Sequence, residues 1–429
     1  MELEMRKGFK QTEFGTIPND WKEVNLGKSS VLKARIGWQG LTTAEYLKTG
    51  DYFLITGTDF KNGYIDWDNC VYVERIRYDQ DKNIQIKVED VLVTKDGTIG
   101  KVAYVDKLPM KTTLNSGVFV IRPINNFYNT RYFYFVLRSR HFKEFLGKLT
   151  AGSTISHLYQ KDFVHYSFPL PPTLAEQKAI ATALSDVDDL ISNVDALIAK
   201  KKAIKQGAMQ QLLTPPNKGG KRLDGFDGEW VEIKLGDSAI LKARIGWQGL
   251  TTAEYLKSGD YGLVTGTDFN NGFIDWKNCV FVKKERYVQD SNIQLKLNDV
   301  LVTKDGTIGK IALINSLPQP TTLNSGVFVI RAKNNVFSQK FFYHILMSSH
   351  FKEFLGRLTA GSTINHLYQK DFVHFNFFAP ESIQEQKCIA QILSDMDQEL
   401  EELATKKEKY EHIKQGMMQE LLTGKTRLV

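Results

Sequence analysis

The chain has 429 residues, 42% hydrophobic and 24% charged, and carries a net charge of +7. This is a soluble composition with material for more than one core, and its modest cationic surplus permits a polyanionic partner without demanding one. The three cysteines form no CxxC or Cys/His cluster that suggests zinc, nothing suggests a disulfide framework, and no apolar run approaches membrane-span length.

The first element is a repeat. The stretch KARIGWQGLTTAEYLK at 33–48 recurs unchanged at 242–257. Trp21 and Trp230, Asp96 and Asp305, Asn115 and Asn324, His157 and His366, and Glu176 and Glu385 all stand 209 residues apart. Two copies therefore align from 21 to 214 without a gap, at the period of a domain and not of a solenoid. TPPNKGGKRLDG, 214–225, reads as the linker. GGKRL follows the first copy and GKTRL the second, and TEFGTIPNDW at 12–21 resembles a continuation of that exit. Such a circular order suits two units related by an approximate two-fold axis. Cys70 and Cys279 hold equivalent positions and read as one buried thiol per core.

Within each copy the first part is mixed. DVLVTKDGTIGKVAYV, 90–105, alternates apolar and polar residues about Asp96-Gly97 and predicts a hairpin, and 112–122 predicts another strand. The aromatic-rich stretch 129–149 predicts one helix packed on the sheet, giving an α+β domain. The second part is a long helix. Thr173 with Glu176, and Ser382 with Glu385, read as capping boxes. Ile180, Leu184, Val187, Ile191, Val194 and Ile198, matched by Ile389, Leu393, Met396, Leu400 and Leu403, form a heptad seam. A lone helix of that length cannot bury its seam, and the circular order makes the two copies antiparallel partners. Gly207 and Gly416 near the far ends read as sites of close packing or of a bend.

Enzyme signatures are missing. GTIGK at 97–101 lacks the first glycine and the final Ser/Thr of a phosphate-binding loop, and FPLPPT at 168–173 lacks the Asp or Asn that precedes Pro-Pro in adenine methyltransferases. No GxSxG or HExxH occurs, and neither catalysis, metal nor cofactor is expected. What remains is duplicated polar loop surface. Arg35, Gln39, Thr42 and Thr43, with Arg244, Gln248, Thr251 and Thr252, surround glycines, and Arg and Gln are the side chains that read base edges bidentately. The competing reading is a glycine-punctuated turn with Trp38 in the core. Lys95, Thr98 and Lys101, with Lys304, Thr307 and Lys310, flank the hairpin tip; a solvated turn is the alternative. Ser153, Thr154, Ser156, His157, Tyr159, Gln160 and Lys161 crowd the loop after the aromatic helix. Their counterparts are Ser362, Thr363, Asn365, His366, Tyr368, Gln369 and Lys370. Small polar groups suit phosphates, and Gln and His suit base edges; the alternative is a plain connection with His157 as a satisfied hydrogen-bonder. Asn115 reads as turn chemistry.

TEFGTIPNDW, LPPTLAEQKAIATAL, KQGAMQQLLT and LLTGKTRL together resemble the conserved regions of specificity (S) subunits of type I restriction–modification systems, over essentially the whole chain. The resemblance implies two tandem, pseudo-symmetric target-recognition domains, each followed by a long helix, the helices pairing as an antiparallel coiled coil. It implies target-recognition domains at 1–172 and 226–381, conserved helices at 173–214 and 382–423, a linker at 215–225 and a tail at 424–429. It also implies double-stranded DNA, two methyltransferase (M) subunits and restriction (R) subunits as partners, no catalysis by the chain itself, and the cytoplasm as its compartment. Recognition domains of the family normally differ from each other. Here they are nearly the same, which predicts an interrupted palindrome as the target. Phe53 against Gly262 and Lys111 against Pro320 are among the differences, which lie mostly outside the candidate loops. Two readings from other classes are an adaptor that binds protein and an enzyme with its site between the repeats.

Overall fold

The alternating run about Asp96-Gly97 forms the antiparallel pair Val91–Thr94 and Val102–Tyr104. Gly97 turns the chain at φ +68°, a conformation that a residue without Cβ adopts at little cost. These elements belong to a computed structural model that describes residues 8–37, 40–150, 157–246, 249–359 and 366–428. The chain divides into two units: Met1–Asp195 with Lys406–Val429, and Ala196–Thr405.

In the first unit a six-stranded sheet runs in the order Ser30–Lys33, Val118–Pro123, Val91–Thr94, Val102–Tyr104, Tyr64–Ile65, Phe60–Lys61. A smaller sheet joins Thr112–Leu114, Phe53–Ile55 and Val71–Tyr72. Both faces of the large sheet are buried, so side chains of period two feed two cores. Val91, Val93, Phe119 and Ile121 face one, with the helices; Leu92, Ala103, Val118 and Val120 face the other, with Phe53, Ile55 and Leu114. The second unit repeats this division, with Val300, Val302, Phe328 and Ile330 on one face and Leu301, Ala312, Val327 and Val329 on the other. Cys70 and Cys279 are buried free thiols, and burial pushes both up to about 12.

Two expected elements are broken. Residues 112–122 form two strands, Thr112–Leu114 and Val118–Pro123, in different sheets. Between them Asn115 Oδ1 accepts the Gly117 N–H at 3.1 Å, a side-chain-closed turn that redirects the chain. Residues 129–149 form two helices, Thr130–Leu137 and Arg140–Thr150. At the break the Ser139 hydroxyl donates to the Val136 carbonyl at 2.6 Å, competing with the helical ladder. Ser348 does the same to Ile345 between Gln339–Met347 and Ser349–Thr359.

The long helices, Leu174–Leu212 and Ile383–Leu421, run 39 residues each and pass through Gly207 and Gly416 unbroken. A Cβ on either glycine would meet nothing within 4 Å, so neither serves a close approach. Their pairing is antiparallel within each unit. In the first, Asp188 pairs with Lys414 and Asp195 with Lys407 at 2.8 Å. In the second, Lys201 pairs with Glu399 at 2.6 Å and Lys205 with Asp397. Ile180 and Leu184 share the first unit's core with Leu421 and Leu422; Ile389 and Leu393 share the second's with Leu212 and Leu213. The start of each seam is thus buried with the end of the other helix, while Ile191, Ile198, Met396, Leu400 and Leu403 are half-buried. Among the described residues no helix is long and apolar enough to cross a membrane.

The helix starts depart from the expected capping boxes in one respect. Thr173 Oγ1 accepts the Glu176 N–H at 3.1 Å and Ser382 Oγ accepts that of Glu385 at 3.3 Å. The glutamate carboxylates do not return to the cap. Glu176, 2% exposed, takes Arg427, whose guanidinium also donates twice to Asp20 at 3.0 Å. Glu385, 0% exposed, takes Arg222 at 2.7 Å. The exits GGKRL and GKTRL therefore each supply the arginine that neutralises the buried first turn of the other long helix.

Removing one partner of such a pair leaves an uncompensated buried charge. Arg427→Ala is expected to lower stability by about 3 kcal/mol, read from the urea midpoint of the full chain, and Glu176→Gln in that background is expected to recover much of the loss. A change below about 0.5 kcal/mol, the scale of an exposed pair, would contradict the assignment.

Candidate nucleic-acid interface

The hairpin loop 95–101 and the segment from His157 onward are remote in sequence and meet in the fold. Asp96 and His157 form an isolated antiparallel bridge, and the Leu158 N–H donates to the Lys95 carbonyl at 2.7 Å. The imidazole Nδ1 of His157 pairs with the Asp96 carboxylate. Asp96, read in the sequence only as a turn residue, thereby fixes the ring that borders the loop. The hairpin itself is closed by Thr94, whose hydroxyl donates to the Thr98 carbonyl at 2.5 Å and accepts the Lys101 N–H at 2.9 Å.

An exposed layer is built on this junction. The Tyr159 ring, 52% exposed, lies 4.8 Å from the His157 ring, and Lys161 Nζ lies 5.6 Å from Tyr159. Gln160 and Lys161 are exposed on the first turn of the short helix Gln160–Phe163. Thr98 and Lys101 are exposed on the hairpin, while Lys95 is half-buried with Nζ 5.4 Å from the Phe119 ring. Beneath lies a cleft of about 140 Å³ lined by Ile99, Leu146, Leu158 and Tyr159 among others. The second unit repeats the arrangement. Asp305 pairs with His366, Leu367 N–H donates to the Lys304 carbonyl at 2.8 Å, and Tyr368 stacks between His366 at 4.5 Å and Lys370 at 5.5 Å. Thr307, Lys310 and Gln369 fall at the positions of Thr98, Lys101 and Gln160. Cations and a hydroxyl can hold phosphates, while an amide, an imidazole and an aromatic face can meet bases.

The other expected loop is largely structural. Arg35 is 1% exposed, and its guanidinium donates to the Leu114 carbonyl at 2.8 Å, Gln80 at 3.0 Å, Thr113 at 3.1 Å and the Arg77 carbonyl at 3.2 Å. Burial, and then the neighbouring Arg77, hold it below the usual guanidinium range. Arg244 repeats each of these contacts in the second unit. Neither arginine is a base reader: its donors are spent on fixed acceptors inside the domain. Thr42 and Thr251 are exposed but bound to the Glu45 and Glu254 carboxylates at 3.3 and 3.4 Å. The Thr42 backbone N–H and the Arg77 guanidinium hold the Glu45 carboxyl below its usual range. Thr43 and Thr252 are exposed beside them. This segment reaches the hairpin through Asn115, whose amide donates to Tyr46, and Gly117, whose carbonyl accepts the Lys95 N–H at 2.8 Å. Gln39, Gln248, Ser153, Thr154, Ser156, Ser362, Thr363 and Asn365 lie outside the described residues. Among the described residues no group of three or more His, Cys, Asp or Glu side chains could hold a metal ion.

A family model described as the type I restriction modification DNA specificity domain matches residues 18–203 and 228–412. The type I restriction enzyme MjaVIII specificity subunit of Methanocaldococcus jannaschii is 25% identical over 453 residues, which cover 100% of this chain and 98% of that one. The type I restriction enzyme EcoBI specificity subunit of Escherichia coli is 26% identical over 245 residues, 53% of this chain and 50% of its own. Among solved structures, the S subunit of a type I restriction–modification system from M. genitalium superposes with a TM-score of 0.63 at 17% identity, covering 98% of both chains. At that identity the likeness carries the fold alone.

The geometry separates roles that the sequence grouped together. Lys161→Ala is expected to weaken DNA binding evenly across sequences and to reduce the log–log salt slope by about 0.9 if it holds one phosphate. Gln160→Ala is expected to cost about 1–3 kcal/mol at one base position in a binding-selection profile. Arg35→Ala should instead lower the melting temperature. An Arg35→Ala protein that melts normally but misreads its target would contradict the structural role.

Proposed function

Because the chain belongs to the type I restriction–modification DNA specificity family, we propose that it reads a bipartite DNA site, one half with each unit, and that its two long helices hold two M subunits, with R subunits joining them. Specificity subunits of these systems bind DNA, assemble with M and R subunits and leave catalysis to those partners. The observation that carries the bipartite reading is the duplication of one surface. The hairpin, the His–Asp junction and the Tyr–Lys layer recur in both units with the same contacts. Two nearly identical reading surfaces select the same short base sequence. The circular order of the two copies in the sequence suits an approximate two-fold relation, in which they read opposite strands of an interrupted palindrome, as half-site symmetry mirrors protein symmetry elsewhere. Adenine in each half is the base that the recruited methyltransferases modify.

The paired helices act as a ruler between the half-sites. Their heptad seam allows a clean test: deleting seven residues from each, within 186–200 and 395–409, keeps the seam in phase and shortens the span by roughly 10 Å. A binding selection with the shortened protein is expected to return the same half-sites with a changed spacer. An unchanged spacer would sink the ruler.

A further inference from the structure

The two units differ at one buried site whose other parts are all retained. In the first, Arg138 lies at the break between the two aromatic-region helices. Its guanidinium donates to the Tyr134 hydroxyl and reaches Asp188 Oδ2 at 3.3 Å, while Lys414 takes Asp188 Oδ1. In the second, Tyr343 stands for Tyr134, Asp397 for Asp188, and Lys205 takes Asp397 Oδ1 as Lys414 takes that of Asp188. Arg138 has become Met347. A thioether cannot donate, and the Tyr343 hydroxyl and Asp397 Oδ2, both buried, have no partner among the described residues. Tyr343 is 1% exposed. The glycine that makes room for the tyrosine hydroxyl is retained: a Cβ on Gly63 or Gly272 would lie 2.2 Å from it.

Tyr343 and Asp397 line a groove of about 710 Å³ within the second unit, where the stretch from Gln391 to Thr405 of Ile383–Leu421 faces the helix Gln339–Met347. Asp395, Asp397, Glu401 and Glu402 line it with one cation, Lys340, while Lys205 from behind holds Asp397 Oδ1. Asp395 and Glu402 are bonded to the neutral amides of Gln391 at 2.7 Å and Gln398 at 2.9 Å. His344 behind the wall adds no charge, because burial pushes it down to about 3.

We propose that this groove docks a polypeptide segment of a partner protein that inserts an arginine, whose guanidinium takes Asp397 and Tyr343 as Arg138 takes Asp188 and Tyr134 in the first unit. Two fixed acceptors suit a planar, forked donor better than an ammonium. Asp395, Glu401 and Glu402, beyond the paired Asp397, complement a basic segment and repel nucleic-acid phosphates. The first unit carries its guanidinium in its own chain, so the partner docks on the second unit alone. This asymmetry is independent of how DNA is read.

The full chain tests it at low salt with a fluorescent Gly-Arg-Gly-Arg-Gly peptide, its lysine analogue, and melting curves for each variant. The native protein is expected to bind one arginine peptide, and the lysine analogue at least ten-fold more weakly. Met347→Arg installs the residue that the first unit already accommodates and is expected to abolish binding. Arg138→Met is expected to open a second site; should that variant fail to fold, the Met347→Arg result decides alone. Equal binding of both peptides, or undiminished binding by a folded Met347→Arg protein, would overturn the proposal. So would self-association of the native chain that Met347→Arg abolishes, since a second copy would then occupy the groove.

Discussion

A carboxylate buried in the first turn of each long helix is the constraint on which the rest depends. Glu176 and Glu385 are 2% and 0% exposed. A buried charge of this kind is tolerated only with a partner, and in both cases the partner comes from beyond the end of the other long helix, as Arg427 and Arg222. That requirement ties the start of one helix to the exit of the other and so sets them antiparallel. The cross-helix pairs, from Asp188–Lys414 to Lys205–Asp397, then follow in register, with Ile180, Leu184, Ile389 and Leu393 of the seam buried in the two cores. The terminal segment of the chain is thereby part of the first unit's core, with Leu421, Leu422 and Leu428 packed among its residues.

The proposed reading surface depends on a similar economy. Two loops are converted into one surface by a backbone bridge and a His–Asp pair, which leaves Tyr159, Gln160 and Lys161 exposed on a fixed base. Behind it, Arg35 and Glu45 spend their charges on internal partners. The glycine-rich segment that looks most like a reader is largely the brace of the domain. Phe53, a position that differs between copies, is buried and packs on Trp67 at 5.8 Å and Tyr72 at 4.8 Å, so its exchange for Gly262 acts on packing.

The repeat, the seam, the helix caps at Thr173 and Ser382 and the turn at Gly97 were legible in the sequence because each is a short-range pattern. What escaped it is long-range. Arg35 finds its acceptors at Thr113 and Leu114, and no periodicity announces that a loop arginine will be swallowed there. The Glu of a capping box reads as a local cap until Arg427 arrives from the other end of the chain. Asp96 reads as a turn former until His157 is folded against it. The turn chemistry of Asn115 is legible, but not that it splits 112–122 into two strands, and nothing in the sequence announces the helix break at Ser139. Both breaks escape for a different reason. Each is a single polar side chain bonding its own backbone inside an otherwise regular apolar pattern.

The central claim is that one surface, used twice, reads one sequence twice. Single-molecule mapping of methylated adenine in the cell that makes this protein tests it most directly. The account predicts methylation on both strands of an interrupted palindrome with identical half-sites. Two unrelated half-sites would contradict it, and would assign the reading to the residues in which the copies differ.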